Sequence, residues 1–187
     1  MARARGAVQL TVEDWLQSGY TILAEQGFRA LKLDDVCRHL GVTKGSFYHH
    51  FPDITAFKDA LVTSWGGWRD REHRRMDALG AEPPRERLIA MMALLASPGH
   101  WTLERAMREW ARSDPRAAAS TRASDRRARR AVQQAFLDQG FDPDTAARRA
   151  EWMFAMGIGA LHLSSSPRAG RASAAERAAL VDFLLRP

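Results

Sequence analysis

The chain has 187 residues, of which 45% are hydrophobic and 27% are charged, a composition typical of a globular protein. A single cysteine, Cys37, excludes an intramolecular disulfide framework and fits a reducing compartment. No secretory signal is recognisable, and the longest apolar run, residues 152–163, is shorter than the roughly 20 residues of a membrane span. We therefore expect a cytoplasmic protein with no membrane partner.

The net charge of +6 permits a nucleic-acid partner but does not locate the surface that would bind one. Residues 1–52 carry six Lys or Arg against five Asp or Glu, so this segment is almost neutral. The basic excess lies later in the chain, in clusters such as residues 124–130. A solvated helix face is the simplest interpretation of such a cluster.

The first fifty residues predict three short helices. Thr11 with Asp14 forms a capping-box pattern, and apolar residues follow at helical spacing until Gly27. A helix of about two turns then ends at Gly41, and Thr43 is placed to cap the third helix.

The rest of the chain also carries helix signals, and none of it alternates as a strand does. Asp53 caps a fourth helix that we expect to reach about residue 79, with Gly66-Gly67 as a weak point. Later helices are separated by expected connectors at residues 80–84, 97–99 and 164–170. We predict an all-α protein of about nine helices, with one domain at 1–53 and a second at 54–187.

The second and third helices are joined by Gly41-Val42-Thr43, a short glycine-containing turn that is typical of a helix-turn-helix. In that motif the second helix of the pair enters the DNA major groove. A helix of nine residues is roughly 13 Å long, close to the groove width of about 12 Å.

The third helix is predicted to have two different faces. Phe47 and Phe51 are four residues apart, so they share one face and must pack inward. The opposite side carries groups suited to phosphates and base edges, or alternatively to solvent alone: Gly45, Ser46, Tyr48 and His49. A glycine inside a helix lowers its stability by about 1 kcal/mol relative to alanine. That loss is explicable if another surface must approach the backbone at Gly45.

Residues 21–57 resemble the DNA-binding segment of the TetR family of bacterial transcriptional regulators. The resemblance lies in the Gly27-Phe28 pair, in Leu-Gly-Val at 40–42, and in "TKGSFYHHF" at 43–51. It implies an all-helical homodimer whose N-terminal helix-turn-helix binds double-stranded DNA. The variable C-terminal domain would dimerise and bind a small effector.

Carried over to this chain, the resemblance implies a DNA-binding set with one departure from the family pattern. The family often has a phosphate-binding lysine three residues after the last phenylalanine of the motif, where this chain has Ile54. Either Lys58, one turn later, replaces that contact or the contact is missing. The expected DNA-binding residues are Lys32, Thr43, Lys44, Gly45, Ser46, Tyr48, His49 and Lys58.

Residues 152–163 are apolar nearly all round, which requires burial on every side of the helix. Together with the apolar helix at 174–185, this segment could form half of a four-helix dimer interface, and the alternative is a central core helix in a monomer. A twofold dimer would in turn require a palindromic operator. The interface residues we expect are Trp152, Met156, Gly159, Leu163, Leu180, Phe183 and Leu184.

Large, adaptable apolar side chains in the second domain predict a cavity for an apolar or aromatic effector, although such residues also form plain core. The expected set is Trp65, Trp68, Met92, Trp101, Met107, Trp110 and Phe154. The sequence shows no metal-ligand spacing, nucleophile elbow or phosphate loop, so we expect no enzyme, metal or cofactor. The prediction is a ligand-responsive regulator, most often a repressor in this family. The alternative is a helical small-molecule-binding protein with weak or lost DNA binding.

Overall fold

The computed structural model describes residues 10–78, 82–95, 98–163 and 172–186. These residues form nine α-helices and one short 3-10 turn, with no strand among them, which confirms the all-α prediction. In the described ranges, no helix is both long and apolar enough to cross a membrane. The helices are α1 Val12–Gln26, α2 Leu33–Leu40, α3 Lys44–His50, α4 Ile54–Ala78, α5 Pro84–Leu95, α6 Pro98–Ala111, α7 Pro115–Asp138, α8 Pro143–Leu163 and α9 Ala174–Leu184.

The predicted capping residues do begin these helices. The Asp14 amide donates to Thr11 Oγ1, and the Thr11 amide donates to the Asp14 carboxylate at 2.8 Å. Ser173 and Glu176 form the same reciprocal pair at the start of α9. The carboxylate of Asp53 accepts from the amide of Ala56 at 2.8 Å at the start of α4. Each cap satisfies an amide that the first helical turn leaves without an intrahelical partner.

Two predicted breaks differ in the structure. Pro98 and Gly99 form the first turn of α6 instead of a connector, because proline is well suited to the first helical position. Helix α4 continues through Gly66-Gly67, and a Cβ on Gly66 would lie 3.1 Å from Ser120 Oγ. Gly66 therefore permits the close approach of α4 and α7. Of the predicted connectors, residues 164–170, 80–81 and 97 lie outside the described residues.

The helices enclose two apolar cores. The first is built by α1 to α3, the first half of α4 and the end of α6, and the second by α5, α7, α8 and α9. Burial of these side chains is the main stabilising contribution, at about 1.5–3 kcal/mol for each large one. The first core extends past residue 53 into α4, so packing is continuous across the predicted domain boundary. That boundary stays a prediction.

Two adjacent residues fix α1 against α4. Gly19 is buried, and a Cβ placed on it would come within 2.7 Å of Phe57 and 2.8 Å of Leu61. The hydroxyl of Tyr20 donates to the Leu61 carbonyl at 2.9 Å, and burial raises the pKa of this phenol to about 12. The missing side chain of Gly19 therefore lets the two helix backbones approach closely enough for this hydrogen bond.

We predict that Gly19→Ala destabilises the protein by about 1–3 kcal/mol, because the new methyl group overpacks a closed core. This loss should outweigh the gain in helix propensity of about 1 kcal/mol. Chemical denaturation followed by circular dichroism measures the free energy of unfolding. Gly67→Ala is the matched control, since a Cβ there would meet only the end of Arg71 at 3.7 Å. It should stabilise α4, and a stabilising Gly19→Ala would contradict the packing described here.

Candidate DNA-binding surface and ligand cavity

The turn between α2 and α3 is made by Gly41, whose φ of 67° lies in the left-handed region. The amide of Gly41 donates to the Arg38 carbonyl and that of Val42 to the Cys37 carbonyl, which closes the end of α2. Thr43 then occupies the N-cap position of α3, but its side chain makes no capping hydrogen bond. The hydroxyl of Thr43, which is exposed, is therefore not committed to the helix start.

An aromatic cluster, consisting of Trp15, Phe47, Phe51 and Phe57, holds α3 in place. The Phe47 ring is fully buried, and its centroid lies 5.4 Å from that of Trp15 in an edge-to-face arrangement. Phe51 and Phe57 lie 5.5 Å and 5.7 Å from it. These are the distances at which aromatic pairs stabilise beyond their burial. The predicted inward face of α3 is confirmed.

The outward face of α3 is exposed as the helical spacing predicts. Gly45, Lys44 and His49 are exposed, Ser46 is half-buried, and the Tyr48 side chain is 55% exposed. A Cβ on Gly45 would meet only Thr43 Oγ1, at 3.6 Å, so nothing within the chain requires a glycine there. Their role in DNA binding stays a prediction.

Lys44 is paired with Asp34 across the two helices of the motif, a contact that the sequence did not indicate. Lys44 Nζ lies 2.6 Å from the Asp34 carboxylate, and both side chains are well exposed. This hydrogen bond lowers the pKa of Asp34 and raises that of Lys44. Because exposed ion pairs contribute little to stability, the Lys44 ammonium can turn toward a phosphate with only a small loss of folding free energy.

The two remaining lysines of the predicted set flank the motif. Lys32 is exposed immediately before α2, and Lys58 is half-buried on the second turn of α4. Ile54, at the position where the family pattern has lysine, packs against the first core. The residue at this position therefore contributes to packing and offers no charge to a phosphate.

A cavity of about 160 Å³ lies among α4 to α9. Three of the predicted effector residues, Met92, Trp101 and Phe154, line it. The other lining residues are Arg69, Met91, Ala128, Val132, Met153, Met156, Gly157, Ala160, Leu161, Ala172, Arg177 and Leu180.

The other four predicted effector residues do not line this cavity. Trp65, Met107 and Trp110 are buried in the first core, and Trp68 packs against that core. Helical periodicity identifies which side chains are buried, but it does not say which of two cores receives them. Trp101 precedes Met107 in the same helix yet lines the cavity, because the start of α6 borders the cavity while its end packs in the first core.

Two arginines in the cavity wall were not predicted. Arg69 continues the buried i, i+4 stripe of Phe57, Leu61 and Trp65 on α4, and only 2% of its surface is exposed. Arg177 lies on the buried side of α9, one turn before Leu180. Both positions could have been found from the sequence as charged residues on an apolar stripe, where a charge needs a partner.

Arg69 belongs to a buried ionic network that joins α4, α6 and α7. Arg69 Nε donates to Ser124 Oγ at 3.0 Å and lies 3.9 Å from the Glu104 carboxylate. Glu104 also contacts Arg108 at 2.7 Å, and Arg108 makes two hydrogen bonds to Asp125. Two positive and two negative groups balance here, which is the condition for keeping ionised groups in a core.

The predicted dimer residues divide into an exposed and a covered set. Trp152, Met156, Gly159 and Leu163 follow one another at helical spacing on α8, and Leu163 is 88% exposed. Phe183 on α9 is 61% exposed. Leu184, in contrast, is buried in the second core and Leu180 lines the cavity, because these two lie on the inner side of α9. The interface itself stays a prediction.

Comparison with known proteins identifies the motif. Residues 16–61 match the family described as bacterial regulatory proteins, tetR family. The chain is 30% identical over 95 residues to the transcriptional regulator AcuR of Cereibacter sphaeroides, covering 49% of this chain and 43% of AcuR. It is 29% identical over 83 residues to the transcriptional repressor KstR2 of Mycobacterium tuberculosis, covering 44% of this chain and 42% of KstR2. The matches thus span less than half the length of both relatives.

A solved structure resembles the fold of this chain along its whole length. A TetR transcriptional regulator from Legionella pneumophila superposes with a TM-score of 0.72 at 12% identity, covering 100% of both chains. The match to the tetR family of bacterial regulatory proteins therefore covers the helix-turn-helix segment of this chain, residues 16–61.

We predict that Phe47→Ala destabilises the protein by about 3–5 kcal/mol, because it removes the ring around which the aromatic cluster packs. Tyr48→Phe, one residue later, removes only an exposed hydroxyl and should leave the free energy of unfolding within about 0.5 kcal/mol. Urea denaturation of both variants makes the comparison. Equal losses in the two variants would show that α3 is rotated relative to the arrangement described here.

Proposed function

We propose that the protein is a ligand-responsive transcriptional repressor that binds a palindromic operator as a homodimer in the cytoplasm. In this proposal α3 enters the major groove, the cavity binds a small effector, and the exposed stripe of α8 with α9 forms the dimer interface. The repressor role is supported by the similarity to KstR2, whose matched segment includes less than half of either chain.

The observation that carries the DNA-binding proposal is the outward face of α3, above all at Gly45. The helix is held by Phe47 from within, and it presents a bare backbone between polar side chains to the outside. Because an alanine methyl would fit within the chain, the glycine is explained by a surface outside the chain that approaches closely. The wall of a DNA groove is such a surface.

The side chains around Gly45 suit the same partner. The hydroxyl groups of Thr43 and Ser46 can donate to phosphates or base edges, and Lys44 can leave Asp34 for a phosphate. His49 and Tyr48 extend this set toward the end of the helix. Lys32 and Lys58 would contact phosphates beside the groove.

The dimer proposal rests on the exposed apolar residues of α8 and α9. A hydrogen bond from Arg149 to the Leu184 carbonyl links the two helices. Trp152, Leu163 and Phe183 would contact water in a monomer, whereas a twofold partner would bury them. A palindromic site requires the twofold axis of this dimer to bring both copies of α3 to the same side.

The effector proposal rests on the cavity. Effector binding would favour a dimer in which the spacing of the two α3 helices no longer matches the half-sites, and DNA would be released. A second class of protein, a small-molecule binder without DNA affinity, predicts the same cavity but no operator.

We predict specific binding to a palindrome in the DNA upstream of the protein's own gene, with an affinity that falls steeply as salt rises. A mobility-shift assay at several salt concentrations measures this.

His49→Ala should weaken binding about tenfold or more through the loss of one contact. Gly45→Ala should weaken binding while leaving stability unchanged or higher, because its methyl fits the chain and not the groove.

His162→Ala is the matched control, since this histidine is exposed at the end of α8, far along the chain from the motif. It should bind DNA as the unmodified protein does. The absence of a shift on any genomic fragment at low salt would reject the regulator and favour the small-molecule binder.

We predict that sedimentation equilibrium gives about twice the chain mass of 20.9 kDa. Replacing Trp152 and Phe183 together by serine should shift the protein to monomer, because it removes two large apolar contacts. Val12→Ser is the control, since Val12 is also an exposed apolar residue but lies on α1. A monomeric unmodified protein, or a dimer that survives the double substitution, would contradict this interface.

A further inference from the structure

The cavity wall combines an apolar surface with charge of a single sign. Of the fifteen described residues that line it, thirteen are uncharged, chiefly methionine, aromatic and small aliphatic side chains. The two charged ones are Arg69 and Arg177, and these lining residues include no carboxylate. A neutral apolar ligand would lie against two guanidinium groups and strip water from them without replacing its hydrogen bonds.

We propose that the cavity binds a small carboxylate with an apolar body, and that Arg69 and Arg177 bind the carboxylate group. The guanidinium fork matches the two oxygens of a carboxylate, and such charge-assisted hydrogen bonds are stronger than neutral ones. This inference rests on the proposed function in one respect, since it takes the cavity as the effector site and names the chemical class of the effector.

Arg69 is held in position to receive such a group. Its Nε is hydrogen-bonded to Ser124, and Glu104, at 3.9 Å, is shared with Arg108. The negative charge of Glu104 is therefore divided between two arginines, and Arg108 takes a further carboxylate, that of Asp125. The guanidinium has five N–H donors and lines the cavity, so it can contact a ligand in addition to its partners in the protein. Burial strengthens the attraction, because the surroundings screen it weakly.

Arg177, on α9, supplies a second hydrogen-bond donor to the cavity wall. Its Nη1 donates to the Ala172 carbonyl at 2.5 Å, which holds the side chain beside the start of α9. Its Nε is buried and has no hydrogen-bond partner among the described residues. A buried N–H without a partner is rare in folded proteins, and a ligand oxygen would satisfy it.

The apolar part of the wall limits the body of the ligand. The volume of about 160 Å³ is similar to that of an engineered cavity of about 150 Å³ that binds benzene. One ring or a short alkyl chain therefore fits beside Trp101, Phe154 and the methionines. Because Met side chains adapt to either shape, the affinity should depend more on the charge of the ligand than on its shape.

Isothermal calorimetry on the full chain without DNA tests the proposal with two matched pairs of probes, benzoate against benzamide and hexanoate against hexanamide. The members of each pair have nearly the same shape and differ in charge. We expect at least one carboxylate to bind about tenfold tighter than its amide, the effect of a charge-assisted hydrogen bond.

Arg177→Met should remove most of this discrimination while keeping the apolar stem of the side chain. Arg69→Met is combined with Glu104→Gln, so that no buried carboxylate loses its partner charge, and this double variant should also reduce the preference. Arg105→Met is the matched control, because Arg105 is exposed and stacks on Trp101 without lining the cavity. It should retain the preference, and melting temperatures check that all three proteins are folded.

Amides that bind as tightly as carboxylates, or no binding of either pair at millimolar concentration, would overturn the proposal. So would a carboxylate preference that Arg177→Met and the double variant both retain. Because the calorimetry is done without DNA, these outcomes do not change the conclusion drawn from the mobility-shift assay. Conversely, a carboxylate preference in a protein that binds no operator would support the ligand class and reject the regulator.

Discussion

The packing of Phe47 against Trp15, Phe51 and Phe57 is the constraint on which the proposed DNA-binding surface depends. A seven-residue helix is not stable in water by itself, because forming its first turn restricts more backbone than its few hydrogen bonds offset. The aromatic cluster supplies that stability from one side. The opposite side of α3 is therefore not needed for packing, which is why it can consist of a glycine and polar side chains.

Helix α4 contributes to the first core and also to the wall of the cavity. The first half of α4 contributes Phe57 and Leu61 to the core beneath the helix-turn-helix, whereas Arg69 reaches the cavity and its ionic network. Close approach at Gly19 and Gly66 ties the same helix to α1 and to α7. A ligand that binds Arg69 would therefore act on the helix against which the DNA-binding helices pack, with no intervening loop.

Local signals in the sequence were sufficient for most of the helix boundaries and for the orientation of α3. Caps such as Thr11 with Asp14 depend on neighbouring residues alone, and the spacing of Phe47 and Phe51 decides which face is buried. The composition of the cavity was not predictable in the same way. Trp65 and Trp101 carry the same local pattern, and only the tertiary arrangement sends one to the first core and the other to the cavity. Arg69 was missed because its charge suggested solvent, although its position on the buried stripe of α4 indicated otherwise.

Helix α4 is continuous from Ile54 to Ala78, and this has a geometric consequence. Phe57 and Arg69 are twelve residues apart, which corresponds to about 18 Å along the helix axis. A rigid rod of that length that tilts by about 10° about one end displaces the other by about 3 Å. Since Phe57 packs directly on Phe47, a rotation of α4 too small to break its own hydrogen bonds is large enough to change where α3 lies relative to a groove. An unbroken helix thus converts a small angle at the cavity into a displacement comparable to the length of a hydrogen bond.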